Sequence, residues 1–314
     1  MRYVFIVNPE AGKGKVIQKT VEQIRAFFVE RNSRYIIHYT SRAGHAKEIA
    51  QKEASVGDEI TIFSCGGEGT NQEVVNGVIG CKNVIFGIIP CGTGNDYIKS
   101  YGTRQDFLDL TAQLNGNVID VDLIRFEDKY SLNQCSCGMD AMVADNVRLF
   151  KGLFKGVWAY NLSVIYTVFK KFDQRFRITI DGKQLPDIPC LFAVCANGQY
   201  YGGGYRSAPT AIPYDNKLEF SVIQTHSKIR MLSILPAYIK GRHIDKSYCR
   251  YGNCTSVRID CDKEIPVNYD GEITYRKSVE FKLEKSAIRF LVPATIKLEA
   301  GKQAAEAIQT SRRG

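Results

Sequence analysis

No run of about 18 or more uncharged apolar residues occurs in the 314-residue sequence, so no segment reads as a membrane-spanning helix. Met1–Val7 has no signal-peptide cleavage pattern and passes directly into a β-type run, which predicts a cytoplasmic chain. Metal-ligand spacing is missing too. The ten cysteines are scattered and none forms a C-x-x-C pair, which argues against a structural zinc site and for reduced thiols. Cys135 and Cys137 stand two apart in a strand-like stretch and point to one face, as small buried apolar residues do. The four histidines, His38, His45, His226 and His243, fall in no motif. Lys and Arg never form a block of five, so the formal charge of +9 is dispersed. That balance allows nucleotide, nucleic acid or an anionic membrane as partner, but no RNA- or DNA-binding motif accompanies it, and nucleic acid is not an expected partner.

What is present is a globular composition, 44% hydrophobic and 24% charged, long enough for two domains. Tyr3–Val7, Tyr35–Thr40, Glu59–Cys65 and Val84–Pro90 read as strands. Between them Val16–Glu30, His45–Ala54 and Gln72–Ile79 read as helices, with Val16, Thr20, Val21, Ile24, Phe27 and Phe28 on one face of the first. That alternation predicts an α/β layer with a parallel sheet, and in such sheets ligands bind beyond the carboxyl ends of the strands. From about Val118 the texture turns mainly to strands: Tyr130–Cys137, Arg175–Asp181, Cys190–Asn197, Lys217–Gln224, Ser256–Cys261 and Val279–Leu283. Helices are expected over Ala141–Phe150, Trp158–Phe172 and Lys228–Lys240. The division is therefore an α/β domain over 1–122, rejoined by 288–314, and a mainly β domain over 123–287.

Two glycine-rich loops follow neighbouring strands. Gly66-Gly67-Glu68-Gly69-Thr70 leads into a helix and presents main-chain N–H groups and a helix N-terminus to one point, an arrangement suited to phosphate. Cys91-Gly92-Thr93-Gly94-Asn95-Asp96 repeats the pattern, although Asn95 or Asp96 taken alone would serve as a helix N-cap. The first strand delivers Asn8-Pro9-Glu10-Ala11-Gly12-Lys13-Gly14-Lys15, which lacks the spacing of a Walker A loop but can line a nucleotide pocket.

These residues resemble the diacylglycerol kinase catalytic domain family and its bacterial lipid kinase relatives. Gly66–Gly77 is similar to that family's G-G-D-G-T-x-N-E-V-x-N-G, Pro90–Asp96 to P-x-G-T-x-N-D, and Asn8–Gly12 to N-P-x-[SA]-G. Asp122 with Tyr130 and Asn133, Asn197-Gly198 with Gly202–Gly204, Asp215–Glu219 and Asp270-Gly271-Glu272 continue the likeness in order, from about residue 3 to 293. Glu68 stands where the family has Asp, and Gln72 where it has Asn; each is one methylene longer.

The resemblance implies an ATP- and Mg²⁺-dependent lipid kinase acting on a lipid hydroxyl, with diacylglycerol as the default acceptor. Its fold would be a NAD kinase/diacylglycerol kinase-like α/β domain and a β-sandwich-like second domain. Nucleotide binding would fall to Asn8, Pro9, Gly12, Lys13, Gly66, Gly67, Gly69, Thr70, Gly92, Thr93 and Asn95. Glu68, Asp96 and Asp122 would build a carboxylate and water network around Mg²⁺, and Asp215 with the Leu218 carbonyl would hold a structural cation. Asp270 would be the general base and Glu272 its orienting partner. A NAD kinase-like enzyme is a competing reading, which the Cys91–Asp96 loop opposes. A catalytically impaired lipid- or nucleotide-binding homologue is another, resting on Glu68 and Gln72. Arg148–Phe172, with basic residues among aromatic ones and the sole Trp, is the candidate for peripheral docking on an anionic membrane, against the plainer reading of a packed helix. A homodimer stays open.

Overall fold

The computed structural model describes residues 2–92, 94–150, 157–170, 175–186, 189–224, 230–299, 303, 305, 307 and 308. The N-terminal half alternates β1 (Arg2–Val7), α1 (Lys15–Glu30), β2 (Tyr35–Tyr39), α2 (His45–Ala54), β3 (Ile60–Gly66), α3 (Glu68–Val78) and β4 (Val84–Pro90). All residues of β3 and β4 are buried, as a parallel sheet covered on both faces requires. The strands lie parallel in the order β4-β3-β1-β2. Strand alternation divides β1 between two cores: Val4 and Ile6 pack with α2 and α3, whereas Phe5 and Val7 pack with Ile17, Val21, Ile24 and Phe28 of α1. This topology gathers the loops after β1, β3 and β4 along one edge.

Two short helices, α4 (Arg104–Leu108) and α5 (Leu110–Leu114), lead into β5 (Asn117–Phe126). β6 (Lys129–Ser131), β7 (Gln134–Gly138), the helices α6 (Met139–Phe150) and α7 (Val157–Phe169), β8 (Phe176–Ile180), β9 (Lys183–Gln184) and β10 (Cys190–Ala196) follow. β11 (Leu218–Gln224), α8 (Arg230–Ile239), β12 (Cys249–Cys254), β13 (Ser256–Tyr269) and β14 (Glu272–Val292) complete the chain's named elements. One face of this antiparallel half packs around Cys135, Cys137, Cys190, Cys195, Cys254 and Cys261, and the other is covered by α6, α7 and α8. All ten cysteines are free, and burial pushes the core thiols upward, which keeps them protonated and unreactive. The architecture is the expected one, a parallel α/β domain joined to a mainly β, sandwich-like domain.

Two features differ from the sequence reading. β14 runs unbroken through both halves, pairing antiparallel with β13 at one end and parallel with β4 at Arg289 and Phe290. β5 accompanies it from Asn117 to Phe126, so divisions at 122/123 and 287/288 fall inside continuous strands. The single strand expected over Tyr130–Cys137 is two, β6 and β7. The break at Leu132–Asn133 turns main-chain N–H groups toward Asp270, as described below.

Candidate active site

The three glycine-bearing loops touch. Asn8, at the end of β1, donates through Nδ2 to Thr70 Oγ1 at 3.2 Å, and its Oδ1 accepts the Glu10 N–H at 3.0 Å, starting the tight turn at Ala11–Lys13. Gly12 has φ +59°, and a Cβ there would stand 2.6 Å from the Cys91 carbonyl oxygen. At Gly66 a Cβ would meet Thr70 Oγ1 at 2.3 Å, and at Gly92 it would meet Gly67 Cα at 2.7 Å. The Cys91 and Gly92 N–H groups both donate to the Gly66 carbonyl, at 3.0 and 2.9 Å. Close approach of main chain explains Gly12 and Gly92, and the Thr70 side chain packed on the loop explains Gly66. This packing leaves the N-terminus of α3 without a side-chain cap, with Gly69 exposed and nothing within 4 Å of its Cβ position. Uncapped N–H groups at a helix start are donors for phosphate. Pro9 is exposed at the rim; Thr93 and the Lys13 side chain lie outside the described residues.

Beneath the loops sit two carboxylates. Asp96 is fully buried; its Oδ1 accepts from Lys99 Nζ at 2.5 Å and its Oδ2 from the Gly203 N–H at 2.6 Å. Glu68 Oε1 accepts the Asp96 N–H at 3.1 Å, so the longer side chain spans from the β3 loop to the β4 loop. Gly94 makes room for it, since a Cβ there would stand 3.2 Å from the Glu68 carboxylate. Burial pushes the Glu68 carboxyl up to about 7, with the charge of Asp96 adding to the rise and Lys99 opposing it. Asn95, at φ +55°, ties the loop down by donating to the Gly92 carbonyl, and buried Asn71 links it to Ser64.

A crowded carboxylate pair balanced by one ammonium group is a donor set that a hard cation fits. Glu68 and Asp96 are the two carboxylates that would hold such a cation. Asp122 does not join them. Its Oδ2 accepts the Asn216 N–H at 2.8 Å and its Oδ1 the Ser286 N–H at 2.9 Å, so it pins the segment at Asn216 to β14. Among the described residues no three His, Cys, Asp or Glu side chains gather as a metal cluster. Asp215 is partly buried, accepts the Lys217 N–H at 3.1 Å, and is pushed up to about 6, chiefly by burial with Asp122 contributing. The Leu218 side chain is buried in the sandwich core, and its main chain begins β11 opposite Cys254 of β12.

Asp270 and Glu272 occupy one hairpin but opposite environments. Asp270, at φ +49°, accepts three main-chain N–H groups: Leu132 on Oδ2 at 2.6 Å, and Asn133 and Gln134 on Oδ1 at 3.0 and 2.9 Å. Burial still holds its carboxyl above the usual range. Glu272 is exposed at the start of β14. The structure therefore brings Asn8, Gly12, Gly66, Gly67, Thr70, Gly92, Asn95, Glu68 and Asp96 together, and places Asp122 with Asp215 in a separate network. Sequence reasoning gave no role to Lys99, nor to Asn71 and Gly203, which lie within the quoted motifs. The signals were a lysine three residues after Asp96 and a run of three glycines, Gly202–Gly204, all at positive φ. A cavity of about 560 Å³ lined by Ile79, Lys82, Asp120, Ser286 and Arg289 contains none of the glycine-loop residues.

Comparison with known proteins gives the family. Residues 2–126 match the diacylglycerol kinase catalytic domain, and residues 133–292 match the YegS C-terminal NAD kinase beta sandwich-like domain. The chain belongs to this family of diacylglycerol kinase-like lipid kinases. It is 26% identical over 270 residues to the diacylglycerol kinase of Bacillus subtilis, covering 85% of this chain and 88% of that one. It is 23% identical over 295 residues to the diacylglycerol kinase of Mycobacterium tuberculosis, covering 92% and 94%. A crystal structure of a diacylglycerol kinase from Bacillus anthracis shares the fold with a TM-score of 0.68 at 20% identity, over 94% of this chain and 98% of that one. Another from the same organism gives 0.76 at 23% identity, over 94% and 96%.

Proposed function

We propose that the protein transfers the γ-phosphoryl group of ATP to a lipid hydroxyl in the presence of Mg²⁺, with diacylglycerol the first acceptor to test. The observation that carries this is the convergence of three glycine loops and an uncapped helix start on the Glu68–Asp96 pair. Main-chain N–H groups at the start of α3 hold phosphate oxygens. Glu68 and Asp96 would hold the cation, which would supply charge neutralisation on the phosphates. Lys99, 2.5 Å from Asp96 Oδ1, adds a positive charge beside the pair that would help to offset the charge of the phosphates.

The acceptor proton falls to Glu272. A carboxylate that already accepts three N–H groups has few lone pairs left for a substrate, so Asp270 positions the hairpin, while exposed Glu272 keeps its oxygens for the hydroxyl. The test is phosphorylation of a lipid panel with labelled ATP, with and without Mg²⁺, by the wild type and Glu272→Gln. Product with at least one hydroxyl lipid, metal dependence, and a loss of about 10²–10⁴ in the variant are expected. No labelled lipid from any member of the panel refutes the reading.

A further inference from the structure

The described surface carries scattered exposed apolar residues and one cluster. Trp158 and Phe169 of α7 are 72% and 76% exposed, and Ile165, Tyr166 and Leu149 are exposed with them. Positions 158, 165, 166 and 169 share one face of α7, while Ala159, Ser163, Val164, Thr167 and Val168 face the core. The Phe150 and Tyr166 rings meet edge to face at 5.7 Å, which joins the end of α6, where Leu149 lies, to the same patch. Isolated exposed apolar residues need no explanation; a contiguous face holding two nearly free large aromatics does.

We infer that this face of α6 and α7 docks the protein on an anionic bilayer surface, beside the cleft that phosphorylates the lipid. Two observations choose the bilayer over a second copy of the chain. Among the described residues the charged groups at the edge of the face are Lys170 and Arg148, the latter paired with Asp145, a basic edge that an anionic surface complements and a second copy of the same edge does not. Among the described residues Lys170 stays at the edge of the patch, its Nζ 3.1 Å from Asn146 Oδ1 and 4.8 Å from the centre of the Tyr166 ring, while Arg148 is exposed and shares Asp145.

The second observation is a connection to the site. Asn161, within α7, accepts from Tyr205 Oη at 2.5 Å, and Tyr205 closes the glycine turn whose Gly203 N–H binds Asp96. The aromatic face therefore stands on a helix tied to the carboxylate pair through one short turn. Among the described residues no helix is long and apolar enough to cross a membrane, so a lipid acceptor has to be met at the surface. Lys151, Phe154, Lys155 and Lys171, which belong to the same sequence stretch, lie outside the described residues.

The choice of a bilayer rests on the lipid kinase reading, and the test separates the two. Trp158 is the only Trp and reports on itself. Mixing the wild type with phosphatidylglycerol vesicles is expected to shift its emission to the blue, with quenching by brominated acyl chains; phosphatidylcholine vesicles or 0.5 M salt should abolish the shift. Trp158→Ser with Phe169→Ser should lower co-sedimentation with phosphatidylglycerol vesicles by at least roughly tenfold, and spare phosphorylation of a short-chain soluble acceptor. An unshifted Trp158 on anionic vesicles overturns the proposal. So does lipid-free dimerisation that buries Trp158, or unchanged sedimentation of the double variant. Vesicle docking by a protein that phosphorylates no lipid leaves this face standing and removes the kinase reading.

Discussion

Replacing Glu68 by Gln should stabilise the metal-free protein at alkaline pH and do little at pH 5. The Glu68 carboxyl rises from an ordinary value of 4.5 to about 7 in the folded chain, because burial and the neighbouring Asp96 charge both disfavour ionisation. The folded state therefore holds this proton more tightly than the unfolded state. Stability is highest below about 4.5 and falls as pH rises through 7, by about 3 kcal/mol in all at 1.36 kcal/mol per pH unit. Asp122, Asp215 and Asp270 are also pushed upward, so the wild-type curve alone assigns nothing. The difference between wild type and Glu68→Gln isolates one group. Urea unfolding in EDTA should show the variant gaining about 2–3 kcal/mol relative to wild type between pH 5 and pH 8. Saturating Mg²⁺ should return most of that stability to the wild type at pH 8 and none to the variant. A relative gain below about 0.5 kcal/mol would show that Glu68 ionises without penalty, and the crowded-pair argument for a cation would fail.

Gly92→Ala should weaken nucleotide binding by about tenfold or more and cost roughly 1–3 kcal/mol of stability, because the new Cβ meets main chain at Gly67 instead of a side chain that can turn away. Titration with a fluorescent nucleotide analogue checks it; unchanged affinity would remove these loops from the phosphate cradle. Asp270→Asn sets an amide donor against main-chain N–H donors from Leu132, Asn133 or Gln134, and should cost about 1–3 kcal/mol in thermal or urea unfolding. A variant of native stability with abolished turnover would return the proton-acceptor role to Asp270.

Local patterns were readable where a residue's job depends on its neighbours in sequence. The alternation through β4 predicted the parallel layer because strand and helix periods are set within each segment, and α2 spans His45–Ala54 as its pattern indicates. The glycine loops were legible as phosphate-type turns, yet the sequence did not show that Gly66 and Gly92 are needed by Thr70 and Gly67. β14 was seen only as Val279–Leu283. Its remaining length takes partners from β13, β5 and β4, and a Lys-, Glu- and Arg-bearing stretch such as Glu272–Ser278 carries no clear strand signal without them. Lys99 escaped, and Gly203 was seen only as part of a glycine run, for the same reason. Each acquires its role from Asp96, and Gly203 is separated from it by 107 positions.

The Asp270-Gly271-Glu272 hairpin shows what such long-range contacts decide. Two carboxylates one residue apart are chemically equivalent on paper, and Asp-Gly is in any case a common turn. Asp270 is separated from its three N–H donors by 136 to 138 positions, at the break between β6 and β7. Those donors consume its acceptor capacity and hold it at positive φ, with Gly271 at φ +93° completing the turn. The same bonds fix where β14 begins, and so where Glu272 projects. One carboxylate is immobilised as an acceptor of main-chain donors, and its neighbour is thereby presented to solvent at a defined point. On the proposed assignment, with Glu272 as base and Asp270 as its anchor, Asp270→Asn should be read in stability and Glu272→Gln in turnover.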